Sequence, residues 1–326
     1  MSGGIARRRS LPPGGRQAML PMADGWPVRT VWWPGRPDGP GALLFITGRA
    51  DFMEKYAETF HDLVDAGWGV ASFDWRGQGL SGRVGKTAMH GDTPGFAVWL
   101  NDLDRLIGWF RQVLPPPWHA VAHSMGGHLL QRHLAGENAE LRRAVLLAPM
   151  NGVRARPLGP GLARPLARLM VRLGKGDDFV WGGGARPMGF DAARQRLLTH
   201  DPERYADEGW WVSTNPALAL GSVTWRWLDA AFGSLDDLLL PPARARGTGD
   251  GANARPALAR ITTPLLVLVP ETDDLVDNRV TRRIVAGMAS AGLEQVDGAA
   301  HELLRETSDI RARVLARITG FLQTGR

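Results

Sequence analysis

The stretch "AHSMGGHLL" sets a polar serine, Ser124, between two compact residues, Ala122 and Gly126, with a short apolar run before it and a helical pattern after it. A serine at such a strand-to-helix corner can serve as a nucleophile. The corner requires small residues two positions before and two after the serine, because strand and helix close on each other there. Ala122 stands where glycine would complete the pattern, and it is still small. A serine hydroxyl is a weak nucleophile. It needs a base to take its proton, and the base needs a carboxylate to orient it. On an open α/β sheet the partners follow the serine in the order acid, then histidine, on loops after late strands.

The chain supplies both partners in that order: "ETDDLVDN" follows the apolar run "PLLVLVP", and "GAAHELLRE" follows "EQVD". Of the eight histidines, His301 alone lies on a Gly/Ala-rich loop between a late strand and a helix, where a general base belongs. His123 and His128 flank the serine and are expected to point away from it along strand and helix. Asp273 and Asp274 compete as the acid, with Glu271 nearby. Asp277, followed by Asn278 and a helical run, reads as a helix N-cap. Acyl transfer also needs N–H donors for the developing oxyanion. One is the backbone N–H of Met125. The other is assigned to the Arg49 N–H, in the loop after "ALLFITG", where Gly48 frees the backbone. The Arg49 guanidinium carries two readings, a solvated surface charge or a contact with a phosphate or carboxylate of the substrate.

The elements that must position these groups follow from the apolar pattern. Short strands read at Ala42–Gly48, Gly69–Phe73, "WHAVA", "RRAVLLAPM", "TPLLVLVP" and "EQVD". Between them lie helical patterns: "YAETFHDLVDAGW", "FAVWLNDLDRLIGWFRQVL", "GGHLLQRHL", a stretch from Val280 to Ala291, and the closing "SDIRARVLARITGFLQ". Apolar strands alternating with helices predict an α/β fold with a mostly parallel sheet covered by helices on both faces. The rhythm breaks over residues 151–240, which hold Gly/Pro clusters and Trp181, Trp210, Trp211, Trp225 and Trp227. That stretch reads as a cap inserted after the fold's sixth strand, "RRAVLLAPM", its tryptophans forming either an apolar wall for a ligand or the cap's own small core. Residues 28–150 and 241–326 form the two parts of the sheet domain, and "PPARARGTGDGANARP" reads as a flexible loop back into it. Residues 1–27, rich in Gly, Pro and Arg, read as a flexible lead-in.

Composition narrows the function classes. The 326 residues contain no cysteine, which excludes disulfides, thiolate metal sites and cysteine nucleophiles and fits a reducing cytoplasmic setting. No apolar run is long enough to span a bilayer, and the basic N-terminus lacks the apolar core of a signal peptide. The net charge of +6 is carried by scattered arginines, with "ARRRS" the densest cluster. No nucleic-acid motif accompanies them, so the expectation is no nucleic-acid partner. Peripheral attraction to an anionic membrane surface fits the charge better.

The motifs "ITGRADFMEKYAE", "FDWRGQGLSGR", "AHSMGGHLL" and the pair "ETDDLVDN" and "GAAHELLRE" together resemble the α/β-hydrolase superfamily. More narrowly they resemble its monoacylglycerol lipase and bacterial lysophospholipase branch, the serine aminopeptidase S33-like hydrolases. The resemblance runs from about Ala42 to Phe321, more loosely through the cap, where "NPALALGSVTWRWLDAA" looks like the lysophospholipase-type members. It implies the triad Ser124, Asp273 and His301. In the family the acid stands four residues before an Asp-Ser or Asp-Asn pair, here Asp277-Asn278, which selects Asp273 over Asp274. Thr47 stands where the family often has histidine, a departure shared with the lysophospholipase-like members. The resemblance also implies an esterase that needs no cofactor or metal and acts on a lipid-like acyl ester, a lysophospholipid or monoacylglycerol, beneath a cap. A peptidase, thioesterase or carbon–carbon hydrolase on the same scaffold is the alternative, and a non-catalytic binding protein a more distant one. Dehalogenases and epoxide hydrolases use an aspartate nucleophile, which Ser124 disfavours.

Overall fold

A computed structural model describes residues 2–136, 140–185, 191–239 and 257–324. Eight strands form one sheet. They are β1 (Arg16–Pro21), β2 (Pro27–Trp33), β3 (Ala42–Ile46), β4 (Gly69–Phe73), β5 (Trp118–His123), β6 (Arg143–Leu147), β7 (Leu265–Pro270) and β8 (Ala291–Val296). Their spatial order is β1-β2-β4-β3-β5-β6-β7-β8. The first two pairings are antiparallel and the remaining five are parallel.

The central strands are apolar on both sides because both sides are covered. In β3, Leu44 and Ile46 pack with α3 (Phe96–Val113) and α4 (Met125–Gly136) on one face. Leu43 and Phe45 pack with α2 (Ala57–Asp65) and the C-terminal helix, α10 (Ser308–Thr324), on the other. The same alternation runs through Ala144/Leu146 against Val145/Leu147 in β6 and Leu265/Val267 against Leu266/Leu268 in β7. The helix expected from Val280 to Ala291 is shorter, Asn278–Val285 (α9), and its last expected residue opens β8. Asp277 caps it, accepting the Arg279 N–H at 3.0 Å.

Between β6 and β7 the chain leaves the sheet for α5 (Gly159–Arg172), α6 (Ala192–Leu198), α7 (Pro202–Thr214) and α8 (Trp225–Leu239). Trp225 and Trp227 are buried, whereas Trp181 is 66% exposed. The expected return loop, 241–256, lies outside the described residues.

The expectation of a flexible lead-in over residues 1–27 is corrected. The helix α1 (Ser2–Arg8) is followed by β1, which pairs with β2 along its whole length. The arginine cluster is what holds this segment down. Arg7 pairs with Asp62 and Asp65 of α2, and Arg8 and Arg9 both reach Asp207 of the cap helix α7. Arg9 also lies over the Trp210 ring, 5.1 Å from its centroid. The densest basic cluster is thus spent on internal carboxylates. Among the described residues, no helix is long and apolar enough to cross a membrane.

Candidate active site

Ser124 sits on the corner between β5 and α4 with φ of 50°, a left-handed backbone that a non-glycine residue adopts only when its surroundings impose it. The imposition is visible. The Ser124 N–H donates to the Leu147 carbonyl at 2.9 Å, and the Ser124 carbonyl accepts from the Met150 and His128 N–H groups at 3.0 and 3.1 Å. Gly126 is required by closeness rather than by φ: a Cβ there would lie 2.4 Å from the Thr47 carbonyl oxygen, a backbone atom that cannot step aside. This drives the start of α4 against the end of β3, and so brings the loop after β3 over the serine.

His301, on the loop after β8, places Nε2 3.1 Å from the Ser124 Oγ. Its Nδ1 lies 2.7 Å from Asp273 Oδ2, on the loop after β7. The other oxygen of Asp273 accepts the Leu275 and Val276 N–H groups, both at 2.9 Å, which fixes the carboxylate's orientation. Glu271 ties the two loops together by accepting the Gly298 N–H at 2.8 Å. Asp274, the rival acid, is half-buried and pairs with Arg156 at 2.8 Å. Burial alone would push the His301 imidazole down, but the charge and hydrogen bond of Asp273 outweigh it and hold its pKa above the ordinary value of 6.5. Asp273 is raised by burial and lowered more by His301 and the two backbone donors, so it stays charged.

The two residues expected to supply oxyanion donors flank this corner. Met125 opens α4, whose first N–H groups have no acceptor within the helix. Arg49 follows Gly48, and a Cβ on Gly48 would fall 3.2 Å from the Ser124 Cβ. The loop is clamped from beneath. Asp51 Oδ2 accepts the Gly48 N–H and the Tyr56 O–H, each at 2.8 Å. Trp75 Nε1 donates to the Thr47 carbonyl at 2.8 Å, and Gln78 Oε1 accepts the Ala50 N–H. The "FDWRGQGLS" turn thus buttresses the loop after β3.

The expectation that His123 and His128 both point away holds for His128 alone. His128 is buried against Ser234 of α8 at 2.6 Å, where burial pushes its pKa down to about 3. His123 is the last residue of β5, and its ring faces the site: the ring centroid is 5.0 Å from that of His301, and Nδ1 is 3.0 Å from the Tyr56 hydroxyl.

Sequence reasoning also missed a buried charge cluster beside His123 and His301. Lys55 Nζ contacts Asp51 at 2.7 Å, Glu302 at 2.5 Å and, across to the cap, Glu208 at 3.3 Å. Arg305 joins Glu302 at 2.6 Å and Glu208 at 3.3 Å. The spacings 51/55 and 302/305, each a helical turn, were visible in the sequence; the link to Glu208 was not.

Ser124 and His301 open on a cavity of about 800 Å³. Met150, Val153, Val223, Trp227 and Leu275 give it an apolar wall, drawn from both the sheet domain and the cap. Arg49 and Arg194 line it as well.

Comparison with known proteins follows the same lines. Two relatives are a probable lysophospholipase L2 of Haemophilus influenzae, 28% identical over 286 residues, covering 86% of this chain and 83% of that protein, and lysophospholipase L2 of Escherichia coli, 29% identical over 327 residues, covering 94% and 86%. The fold is shared with a soluble variant of monoglyceride lipase from Saccharomyces cerevisiae (TM-score 0.71, 16% identity, covering 96% of this chain and 95% of that one). It is shared as well with a thermostable carboxyl esterase from Bacillus coagulans (TM-score 0.72, 16% identity, 95% and 98%). The family model described as serine aminopeptidase, S33 matches residues 38–308, more than four-fifths of the chain, and the chain belongs to that family of α/β-hydrolases.

Proposed function

We propose that this chain hydrolyses the carboxylic ester of a single-chain lipid, a lysophospholipid or monoacylglycerol, through an acyl-enzyme on Ser124. The observation that carries the reading is the hydrogen-bonded line Ser124–His301–Asp273 opening on a cavity walled by apolar side chains. Ser124 Oγ attacks the ester carbonyl as His301 Nε2 takes its proton. Asp273 holds the imidazole with its proton on Nδ1 and stabilises the imidazolium that forms. The Met125 and Arg49 N–H groups receive the oxyanion, each such donor typically contributing about 3 kcal/mol to the transition state. His301 then protonates the leaving alcohol, and water, activated by the same imidazole, releases the acid. The names of the lysophospholipase relatives support a lipid ester. An aminopeptidase would need a carboxylate for the substrate's amino group; of the three that line the cavity among the described residues, Asp51 and Glu302 are engaged by Lys55 and Arg305, and Asp191 turns one oxygen to the Ala193 N–H.

A panel of monoacylglycerols, lysophospholipids, p-nitrophenyl esters and aminoacyl amides tests the reading. Turnover of the lipid esters is expected; turnover of the amides alone would overturn it. The pH dependence is a second check. The base must be neutral in the free enzyme, so kcat/KM falls as pH drops through the His301 pKa. That pKa is raised, so the midpoint of the acid limb is expected above pH 6.5 in a kcat/KM profile. A midpoint below that value would contradict the Asp273–His301 coupling.

Peripheral contact with an anionic membrane has its support on α5 and the turn after it. Leu162 and Leu169 are 65% and 50% exposed, Leu173 continues the same helical stripe, and Arg168 and Arg172 are exposed beside it. An exposed apolar stripe flanked by arginines suits an anionic interface. Replacing Leu162 and Leu169 together by Glu is expected to reduce cosedimentation with phosphatidylglycerol vesicles severalfold. Undiminished binding of the double variant would refute this surface.

A further inference from the structure

We propose that Arg49 and Arg194 form a phosphate subsite in the cavity, selecting lysophospholipids over neutral monoacylglycerols; this rests on the ester-hydrolase reading above. A monoacylglycerol and a lysophospholipid share one acyl chain and a glycerol unit. They differ in the phosphodiester, so a site that separates them must present fixed positive charge near the reacting ester.

The cavity does this from two directions. Arg49 is one residue beyond Gly48, whose backbone passes directly over Ser124. Its guanidinium is held against the cap side of the cavity: Nη2 donates to the Gly221 carbonyl at 2.8 Å, and its Cζ lies 5.6 Å from the centroid of the Trp227 ring. It is therefore neither a free surface charge nor a mobile arm. Arg194 enters from the cap helix α6. Its Nη1 is 3.3 Å from Glu208 Oε1, and its Nε is buried without a hydrogen-bond partner among the described residues. Both side chains line the cavity that Ser124 opens on.

What marks the place is not an excess of positive charge but two guanidinium groups set close to each other. The cluster behind Arg194 holds three carboxylates, Asp51, Glu208 and Glu302, facing three cations, Lys55, Arg305 and Arg194 itself. Arg49 adds a positive charge at its edge. Asp191 also lines the cavity and offsets that charge, with one carboxylate oxygen turned to cap α6 by accepting the Ala193 N–H at 2.8 Å. Burial, and next the charge of Arg194, push the Arg49 pKa down to about 10, so both guanidinium groups remain charged at neutral pH while repelling each other. A phosphate between them would relieve that repulsion and meet the planar N–H pairs that suit its oxygens. A neutral glycerol headgroup offers neither effect.

The test compares palmitoyl lysophosphatidylcholine with monopalmitoylglycerol for the wild type, Arg194→Gln and Arg194→Lys. The wild type is expected to prefer the lysophospholipid, and Arg194→Gln to lower the ratio of the two kcat/KM values by tenfold or more, with partial recovery in Arg194→Lys. Because Arg194→Gln disturbs the Glu208 contact and could impair folding, inhibition of the wild type supplies an independent readout. sn-Glycerol 3-phosphate is expected to compete with a p-nitrophenyl ester at least tenfold more strongly than glycerol, and more strongly than inorganic phosphate. If both lipids are turned over but the ratio is unmoved and glycerol 3-phosphate does not compete, the subsite is refuted while the esterase reading stands. Inhibition by inorganic phosphate equal to that by glycerol 3-phosphate, with an unmoved ratio, would mark a site for free phosphate and refute headgroup selection. Turnover of neither lipid would instead refute the esterase reading.

Discussion

Ser124→Ala is expected to lower kcat for ester hydrolysis by at least about 10⁴-fold, because removing a nucleophile leaves only what the oxyanion donors and binding supply. The fold should survive the change. The hydrogen bond of the hydroxyl goes to His301, whereas the corner itself is held by backbone bonds to Leu147, Met150 and His128 and by the close seat of Gly126 under β3. Steady-state kinetics beside a thermal melt checks both halves. A variant that melts like the wild type yet keeps substantial activity would remove Ser124 from the mechanism.

Asp273→Asn should cost nearly as much, about 10⁴-fold in kcat, with little loss of structure. An amide placed at Asp273 can turn its NH₂ group toward His301 Nδ1. That favours the tautomer with the proton on Nε2, which can no longer accept the Ser124 proton. The charge that raises the His301 pKa also disappears, so any residual activity should show an acid limb at lower pH than the wild type. Asp274→Asn is the matched control. Asp274 engages a solvent-exposed Arg156 of the cap rather than His301, so its neutralisation should change kcat/KM less than about threefold. Equal losses in the two variants, or none in either, would contradict the geometry of the His301 partner.

The parts of this molecule that local pattern encodes were readable in advance. β3, "ALLFI", is apolar at every position because the sheet is covered on both faces, and five apolar residues in a row bounded by Gly41 and Gly48 report that directly. The corner at Ser124 was legible for a related reason: small residues at Ala122, Gly126 and Gly127 answer a steric demand confined to a few residues. Asp273 and Asp274 could not be separated by such reasoning, since adjacent carboxylates on one loop differ only in which way the backbone turns them. The family resemblance chose between them, and Asp273 is the one that lies 2.7 Å from His301.

What pattern missed depends on distance along the chain or on exposure. β1 is an edge strand whose residues are nearly all exposed, so it carries no apolar alternation to reveal it. Its anchoring comes from Arg8 and Arg9 meeting Asp207, some two hundred residues away. The Lys55–Glu302–Glu208 cluster joins three segments that share no local signal. His123 was placed on the wrong side because strand alternation was applied without allowing for the loop after β3 folding over the strand's end. The Asp51–Tyr56 clamp is what makes that end of β5 part of the site.

The central claim is that Ser124, activated by His301, forms a covalent intermediate with the substrate's acyl group. A fluorophosphonate carrying a reporter group reacts with such a serine in place of an ester. Intact-protein mass spectrometry, followed by peptide mapping, should show one adduct per chain, located on Ser124, with labelling lost in Ser124→Ala and strongly slowed in His301→Ala. A folded wild-type protein that forms no adduct, or forms it on another residue with Ser124→Ala labelled as fast as the wild type, would contradict the account.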